Sequence, residues 1–391
     1  MVKRIFLIVM DSVGIGASKD AHLFGDEGTH TLKHTALAKG SIHLPHLESL
    51  GLGYLGEVPG INKVESPVGS YGILEEISKG KDTMTGHWEM MGLYIDAPFN
   101  TFTDTGFPKQ LIQTLEKKWN RRIIGNKAAS GTEIIDEYGE HHLKTGDLIV
   151  YTSADSVLQI AAHEDIVSLD ELYQACKIAR ELTLDEPYKL GRIIARPFIG
   201  SVEKGFKRTA NRHDYALKPF EKTTLDYLND GGFEVIGFGK IADIFDHEGI
   251  TKSIRQASNE EGMKNFTAYL EEDFKGLAFL NLVDFDALYG HRRDPLGYHQ
   301  ALESFDQQLG RFIPNMKEED LLIITADHGN DPTHTGTDHT REDVPLLVYQ
   351  KNHASVDLGR MRSFACIGST IAENFKVTPS KHGNSFLHKL K

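Results

Sequence analysis

The chain has 391 residues, too many for one core of ordinary size, and its 40% hydrophobic and 25% charged content predicts a globular protein of two domains. A formal net charge of −13 disfavours nonspecific binding to nucleic acid or to an anionic membrane surface, though not an anionic small substrate held by local cations. Two cysteines, Cys176 and Cys366, rule out a four-cysteine metal site and suggest no disulfide framework, whereas 19 histidines favour metal or acid–base chemistry.

From the N-terminus, Lys3-Arg4 followed by the apolar run Ile5–Met10 imitates the start of a signal peptide. The run stops at Asp11 and has no small-residue cleavage site. No stretch approaches the roughly 20 apolar residues of a membrane span, so the expected protein is soluble and cytoplasmic. Gly14-Ile15-Gly16 is only a G-x-G, because Lys19 stands where a dinucleotide fingerprint needs its third glycine. Gly80-Lys81-Asp82 is no phosphate loop either, since Asp82 replaces the required Ser or Thr.

Further short apolar runs, Leu148–Thr152, Val235–Phe238, Leu277–Val283, Leu321–Thr325 and Val344–Tyr349, predict strands buried on both faces. Lys109–Lys118, Ser168–Leu182, Gly297–Phe312 and Phe364–Phe375 carry helical periodicity, and the second opens on a Ser168-to-Glu171 capping box. This alternation predicts an α/β fold with a mostly parallel sheet flanked by helices. The middle of the chain, with basic clusters at Arg121-Arg122 and from Lys204 to Arg212, reads as an inserted α/β cap domain over 98–216. The core is then discontinuous, 1–97 and 217–391.

Three predicted strands end on acids: Ile5–Met10 at Asp11, Leu277–Val283 at Asp284 and Asp286, and Leu321–Ala326 at Asp327-His328. Ligands of open parallel sheets bind at the carboxyl ends of strands. If the three are neighbours, their acids meet there, joined by His291 and by His334 or His339. Oxygen and imidazole donors without sulfur suit Mn²⁺, Mg²⁺ or Zn²⁺. Asp284 and Asp286 share strand parity, so both could face the site, and spacing does not choose between them, nor between His334 and His339. A second polar cluster, Gly80–His87, offers two hydroxyls. Threonine is a poor nucleophile unless a metal activates it, and composition does not choose between Thr83 and Thr85.

The segments MDSVGIG (10–16), GKDTMTGHWE (80–89), NLVDFDALYGHRRDP (281–295) and TADHGNDPTHTGTDHTRE (325–342) resemble bacterial phosphopentomutases, of the alkaline phosphatase-like superfamily. YTSADSVLQIAAHE (151–164), IARPF (194–198) and NRHDYALKP (211–219) resemble the cap and hinge of that family. The resemblance implies two Mn²⁺ ions, one on Asp11, Asp327 and His328 near the Thr83 oxygen, the other on Asp286, His291 and His339. It implies Thr83 as the phosphorylated residue and Asp284 and His334 as groups supporting the ligands. The implied reaction interconverts α-D-ribose 1-phosphate and D-ribose 5-phosphate, or their 2-deoxy counterparts, through ribose 1,5-bisphosphate. A bisphosphorylated sugar such as glucose 1,6-bisphosphate primes the threonine. Ser153 and Asp155 are candidates for the ribose hydroxyls, and Arg196, Arg212 and His213 for the phosphate away from the metals. The expected partners are small pentose phosphates, with neither nucleic acid nor membrane.

Overall fold

A computed structural model describes residues 2–153 and 155–390. Its strands, in chain order, are β1 (Arg4–Met10), β2 (Ser70–Glu75), β3 (Ile123–Ala128), β4 (Leu148–Thr152), β5 (Val157–His163), β6 (Arg192–Ser201), β7 (Gly205–Arg208) and β8 (His213–Ala216). Then come β9 (Glu234–Phe238), β10 (Lys252–Ile254), β11 (Gly276–Leu282), β12 (Asp320–Thr325), β13 (Val344–Tyr349) and β14 (Asp357–Arg362). The chain divides into two compact units, residues 1–98 with 219–391, and residues 99–218. Each is α/β.

The first unit is built on an eight-stranded sheet in the order β10-β9-β11-β1-β12-β13-β2-β14. The run from β10 to β12 is parallel, β13 is antiparallel to both its neighbours, and β14 returns parallel to β2. All residues of β1, β11 and β12 are buried. That is why these strands read as unbroken apolar runs and not as alternating ones. Phe6 of β1 meets Phe266, Phe274 and Phe312 edge-on at 5.4 to 5.7 Å. Phe279 of β11 stacks on His87 of the helix Thr83–Met90, ring centroids 5.8 Å apart. Each such buried phenyl ring contributes roughly 1.5–3 kcal/mol of transfer free energy.

The sheet places β1 directly between β11 and β12, with Arg4 opposite both Gly276 and Asp320, so all three strands end at one rim. At the amino-terminal rim a fully buried, two-pronged ion pair closes the sheet: Arg4 Nε and Nη2 each donate to Asp320 at 2.7 Å. The carboxyl-terminal rim carries Asp11, Asp286 and Asp327.

The second unit carries a sheet ordered β3-β4-β5-β6-β7, with β8 paired antiparallel to β6. The helices Lys109–Trp119 and Leu169–Leu182 pack on one face through Leu111, Leu115, Leu172 and Cys176. The helix Glu133–Thr145 covers the other through Ile134 and Ile135. Ser168 caps its helix by accepting from the Glu171 N–H.

Candidate metal and phosphoryl-transfer site

Asp11 follows β1 directly. The next residue, Ser12, adopts a left-handed conformation (φ 71°), a strained choice for a non-glycine residue. Its N–H donates to Asp327 Oδ1 at 3.0 Å, so the turn after one strand orients the acid after the next. Asp327 and His328 leave β12 into a loop that returns at His339. Between them Asn330 donates to Asp286 Oδ1 at 2.7 Å. The strand β11 stops at Leu282 and the chain then winds into a wide helical turn over Phe285–Gly290. Strand parity therefore does not govern the two acids. Asp286 is buried at the rim, while Asp284 turns away and accepts from the Asn259 N–H at 2.7 Å.

Among the described residues, two groups of donors form within the first unit alone. Asp11, Asp327 and His328 present ligand atoms within 4.8 Å of one another, and so do Asp286, His328 and His339, making His328 common to both. His291 joins the second group with Nε2 3.1 Å from Asp286 Oδ2, and its ring lies 4.7 Å from that of His339. Asp11, Asp286, Asp327, His328 and His339 are each 6% exposed or less. His334 does not join them: its Nε2 lies 3.6 Å from Asp26 Oδ1.

The charge state of this cluster is the physical problem it poses. Burial, together with Asp327 and Asp286, pushes the Asp11 carboxyl well above its ordinary range. Burial also opposes ionisation of Asp286 and Asp327, but the imidazoles outweigh it: His291 and His339 hold Asp286 well down, and His328 and His87 lower Asp327. The imidazoles are themselves oriented. His291 Nδ1 donates to the Thr337 carbonyl at 2.6 Å and His328 Nδ1 to the Gly329 carbonyl at 3.0 Å. Their Nε2 atoms lie beside carboxylate oxygens, 3.1 Å away for His291 and 3.3 to 3.5 Å for His328. Among the described residues Asp11 Oδ1 receives no hydrogen bond. Three buried carboxylates gathered beside imidazoles, with no sulfur among them, form a donor set that fits hard divalent ions with supported imidazole ligands.

Thr83 stands against this cluster, its Oγ1 3.2 Å from His328 Nε2. It opens the helix Thr83–Met90, capped by Asp82, which accepts from the Met84 and Thr85 N–H groups. The other hydroxyl, Thr85 Oγ1, is spent on Asp82 Oδ2. Gly86 explains how the helix comes so close: a Cβ there would sit 2.1 Å from the Asp327 carbonyl oxygen.

Three residues of the site were not singled out from the sequence. His87 is fully buried; its Nδ1 donates to the Thr83 carbonyl at 2.9 Å and lies 3.1 Å from Asp327 Oδ2, while Asn281 meets its Nε2 at 3.1 Å. Asn330 holds Asp286 through its side-chain amide. Arg341 braces the loop before Thr83. The readable signal was a polar side chain inside each motif with no solvent-facing register.

The candidates in the second unit are arranged differently. Arg212 lies across Asp214 in a two-pronged pair at 2.6 Å, and Arg192 Nη2 lies 3.7 Å from Asp155 Oδ2. The Ser153 carbonyl accepts from Thr103 Oγ1 at 2.9 Å. His213 packs between Tyr173 and Tyr215. Arg196 donates Nε to Gln159 at 2.9 Å. Burial and the nearby Arg212 lower it to about 10.

This α/β sheet with buried carboxylates and imidazoles at its carboxyl rim belongs to a known class. Residues 3–379 match the metalloenzyme superfamily, and the chain is a member of it. The fold is similar to a protein from Pyrococcus horikoshii, at 12% identity and TM-score 0.50, covering 98% of this chain and 99% of that one. It is equally similar to a Leishmania mexicana phosphoglycerate mutase, at 12% identity and TM-score 0.50, covering 98% and 97%. Among the described residues no helix is long and apolar enough to cross a membrane.

Proposed function

We propose that the chain is a phosphopentomutase that moves a phosphoryl group between the 1- and 5-positions of ribose, or 2-deoxyribose, through phosphothreonine Thr83. The observation that carries the reading is the position of Thr83 Oγ1, 3.2 Å from the imidazole shared by both donor groups. Membership of the metalloenzyme superfamily supports reading that hydroxyl as a metal-activated nucleophile. The long motifs resembling phosphopentomutases supply the pentose, and the similarity of fold to a phosphoglycerate mutase is compatible with isomerisation.

Two divalent ions, manganese by resemblance, would be held by Asp11, Asp327 and His328 and by Asp286, His291 and His339. They would supply neutralisation of the phosphoryl oxygens and a lowered cost of ionising the threonine. The chain's own part is orientation. His87 fixes the Thr83 backbone through its carbonyl, Asp82 fixes the first helical turn, and the Ser12 N–H and Asn330 amide hold Asp327 and Asp286. Phosphothreonine passes its phosphoryl group to the free hydroxyl of the sugar monophosphate, the threonine P–O bond breaking as the sugar P–O bond forms. The bisphosphate then turns and returns its other phosphoryl group to Thr83. A sugar such as glucose 1,6-bisphosphate would prime the cycle.

Ser153, Asp155, Arg196, Arg212 and His213 are proposed to recognise the sugar phosphate. Arg196 is favoured for an anion: among the described residues no carboxylate pairs with it directly, while Arg212 is taken by Asp214. Its replacement, Arg196→Ala, is expected to raise KM about tenfold with kcat little changed. Unchanged kinetics would remove it from the site. The function itself is tested by incubating the manganese-loaded protein with ribose 1-phosphate. Ribose 5-phosphate as product supports the mutase. Free phosphate as the dominant product contradicts it and indicates a hydrolase.

A further inference from the structure

Arg341 is 1% exposed, and it lies two residues beyond His339, on the loop that carries the ligand candidates. Its guanidinium uses every face. Nε and Nη2 donate to the two oxygens of Asp20, each at 3.0 Å; Nη2 also reaches the Glu76 carbonyl at 3.0 Å; Nη1 pairs with the Glu76 carboxylate and donates to the Gly80 carbonyl at 2.7 Å. Its backbone N–H donates to Asp26 Oδ2 at 2.8 Å, and the same oxygen receives Lys81 Nζ at 3.0 Å. The segments 20–26 and 76–80 are thus both fastened to Arg341, the first also through its backbone N–H. Gly80 lies just ahead of Asp82, and Asp82 caps the helix that Thr83 opens.

A buried guanidinium satisfied only by carboxylates would be a stabilising pair of ordinary kind. The bond to the Gly80 carbonyl is different. It joins the loop bearing His339 to the backbone just before Thr83, so the guanidinium sets the distance between the two halves of the site. A lysine ammonium cannot reproduce this fork, because it lacks the fixed plane of donors. We propose that Arg341 is a positioning residue for the Thr83 hydroxyl, holding the nucleophile loop in register with the ligand-bearing loop. The inference rests on the reading of Thr83 as the phosphoryl acceptor.

The test loads the full-length, manganese-containing protein from glucose 1,6-bisphosphate and monitors the phosphoryl adduct by intact mass. In loading, the bond from phosphorus to sugar oxygen breaks as the bond to Thr83 Oγ1 forms, and the threonine proton leaves with the hexose monophosphate. Wild type, Arg341→Lys and Thr83→Ala are compared, with metal content measured on each. For Arg341→Lys we expect two metals per chain, a loading rate and kcat lowered about 10²-fold, and KM within about twofold, the pattern of a nucleophile displaced by roughly 1 Å. Asp20→Asn loosens the clamp at its exposed end and is expected to cost about tenfold in kcat alone, so a misfolded lysine variant leaves the proposal testable. Wild-type rates in both variants would overturn the clamp, and so would a loss of rate that merely tracks loss of metal. An adduct that persists in Thr83→Ala would overturn the reading of Thr83 instead.

Discussion

The two rims of the core sheet both hold buried charge, and they handle it in opposite ways. At the amino-terminal rim Asp320 receives both prongs of Arg4, which also donates to the carbonyls of Leu270 and Glu272. At the carboxyl-terminal rim Asp11, Asp286 and Asp327 gather with His291, His328 and His339, and among the described residues Asp11 Oδ1 receives no hydrogen bond. The first arrangement is complete within the chain. The second fits divalent cations, so under the proposed function the same kind of buried acid is structural at one rim and functional at the other.

The largest expected effect breaks this comparison outright. Asp11→Asn should lower phosphoryl transfer by about 10⁴-fold or more. It should leave the metal-free protein as stable as wild type or more so, because burial and the neighbouring Asp327 and Asp286 raise the Asp11 carboxyl. The paired measurements are turnover and chemical denaturation in chelator. Marked destabilisation without metal would mean that Asp11 is structural like Asp320. Arg4→Met at the other rim is the converse. It strands Asp320 and should cost about 3–5 kcal/mol in denaturant unfolding while kcat of the folded fraction is unchanged. A kcat loss with normal stability would contradict the division of roles.

A smaller effect sharpens the comparison at the carboxyl-terminal rim, by separating a structural histidine from the ligand candidates. His30 accepts from the Lys33 N–H as cap of the helix Thr31–Leu37, and burial, with His34 and Lys33, pushes it down to about 4. A base with a depressed folded value takes its proton first in the unfolded chain. Its contribution is therefore full above about pH 6.5 and is lost as pH falls towards 4. His30→Asn keeps a capping oxygen without titrating. The stability of wild type relative to this variant should fall by on the order of 2–3 kcal/mol between pH 7 and 4. A constant difference would show that His30 is not held neutral.

Burial decides how much of this was legible in the sequence. The strands β1, β11 and β12 were readable because both faces are covered, which leaves unbroken apolar runs ending where the chain meets the ligand rim. Their adjacency was not readable, since it depends on pairing across nearly the whole chain. The helix Thr83–Met90 was hidden for a related reason: Met84 to Met90 are all buried, so it lacks the polar stripe that gives an amphipathic period. Parity misjudged Asp284 because the strand stops at Leu282 and a helical turn re-aims the next side chains. In the second unit the residue types suited anion binding, but their partners were invisible. Only coordinates show that Arg212 is spent on Asp214.

The proposed chemistry requires paired cations at one rim, seated against Thr83. Anomalous diffraction from crystals of the manganese-loaded protein tests it most directly. Two peaks are predicted, one contacted by Asp11, Asp327 and His328 and one by Asp286, His291 and His339, with the Thr83 oxygen facing them. No ion among these side chains, or a Thr83 hydroxyl turned away from both, would contradict it.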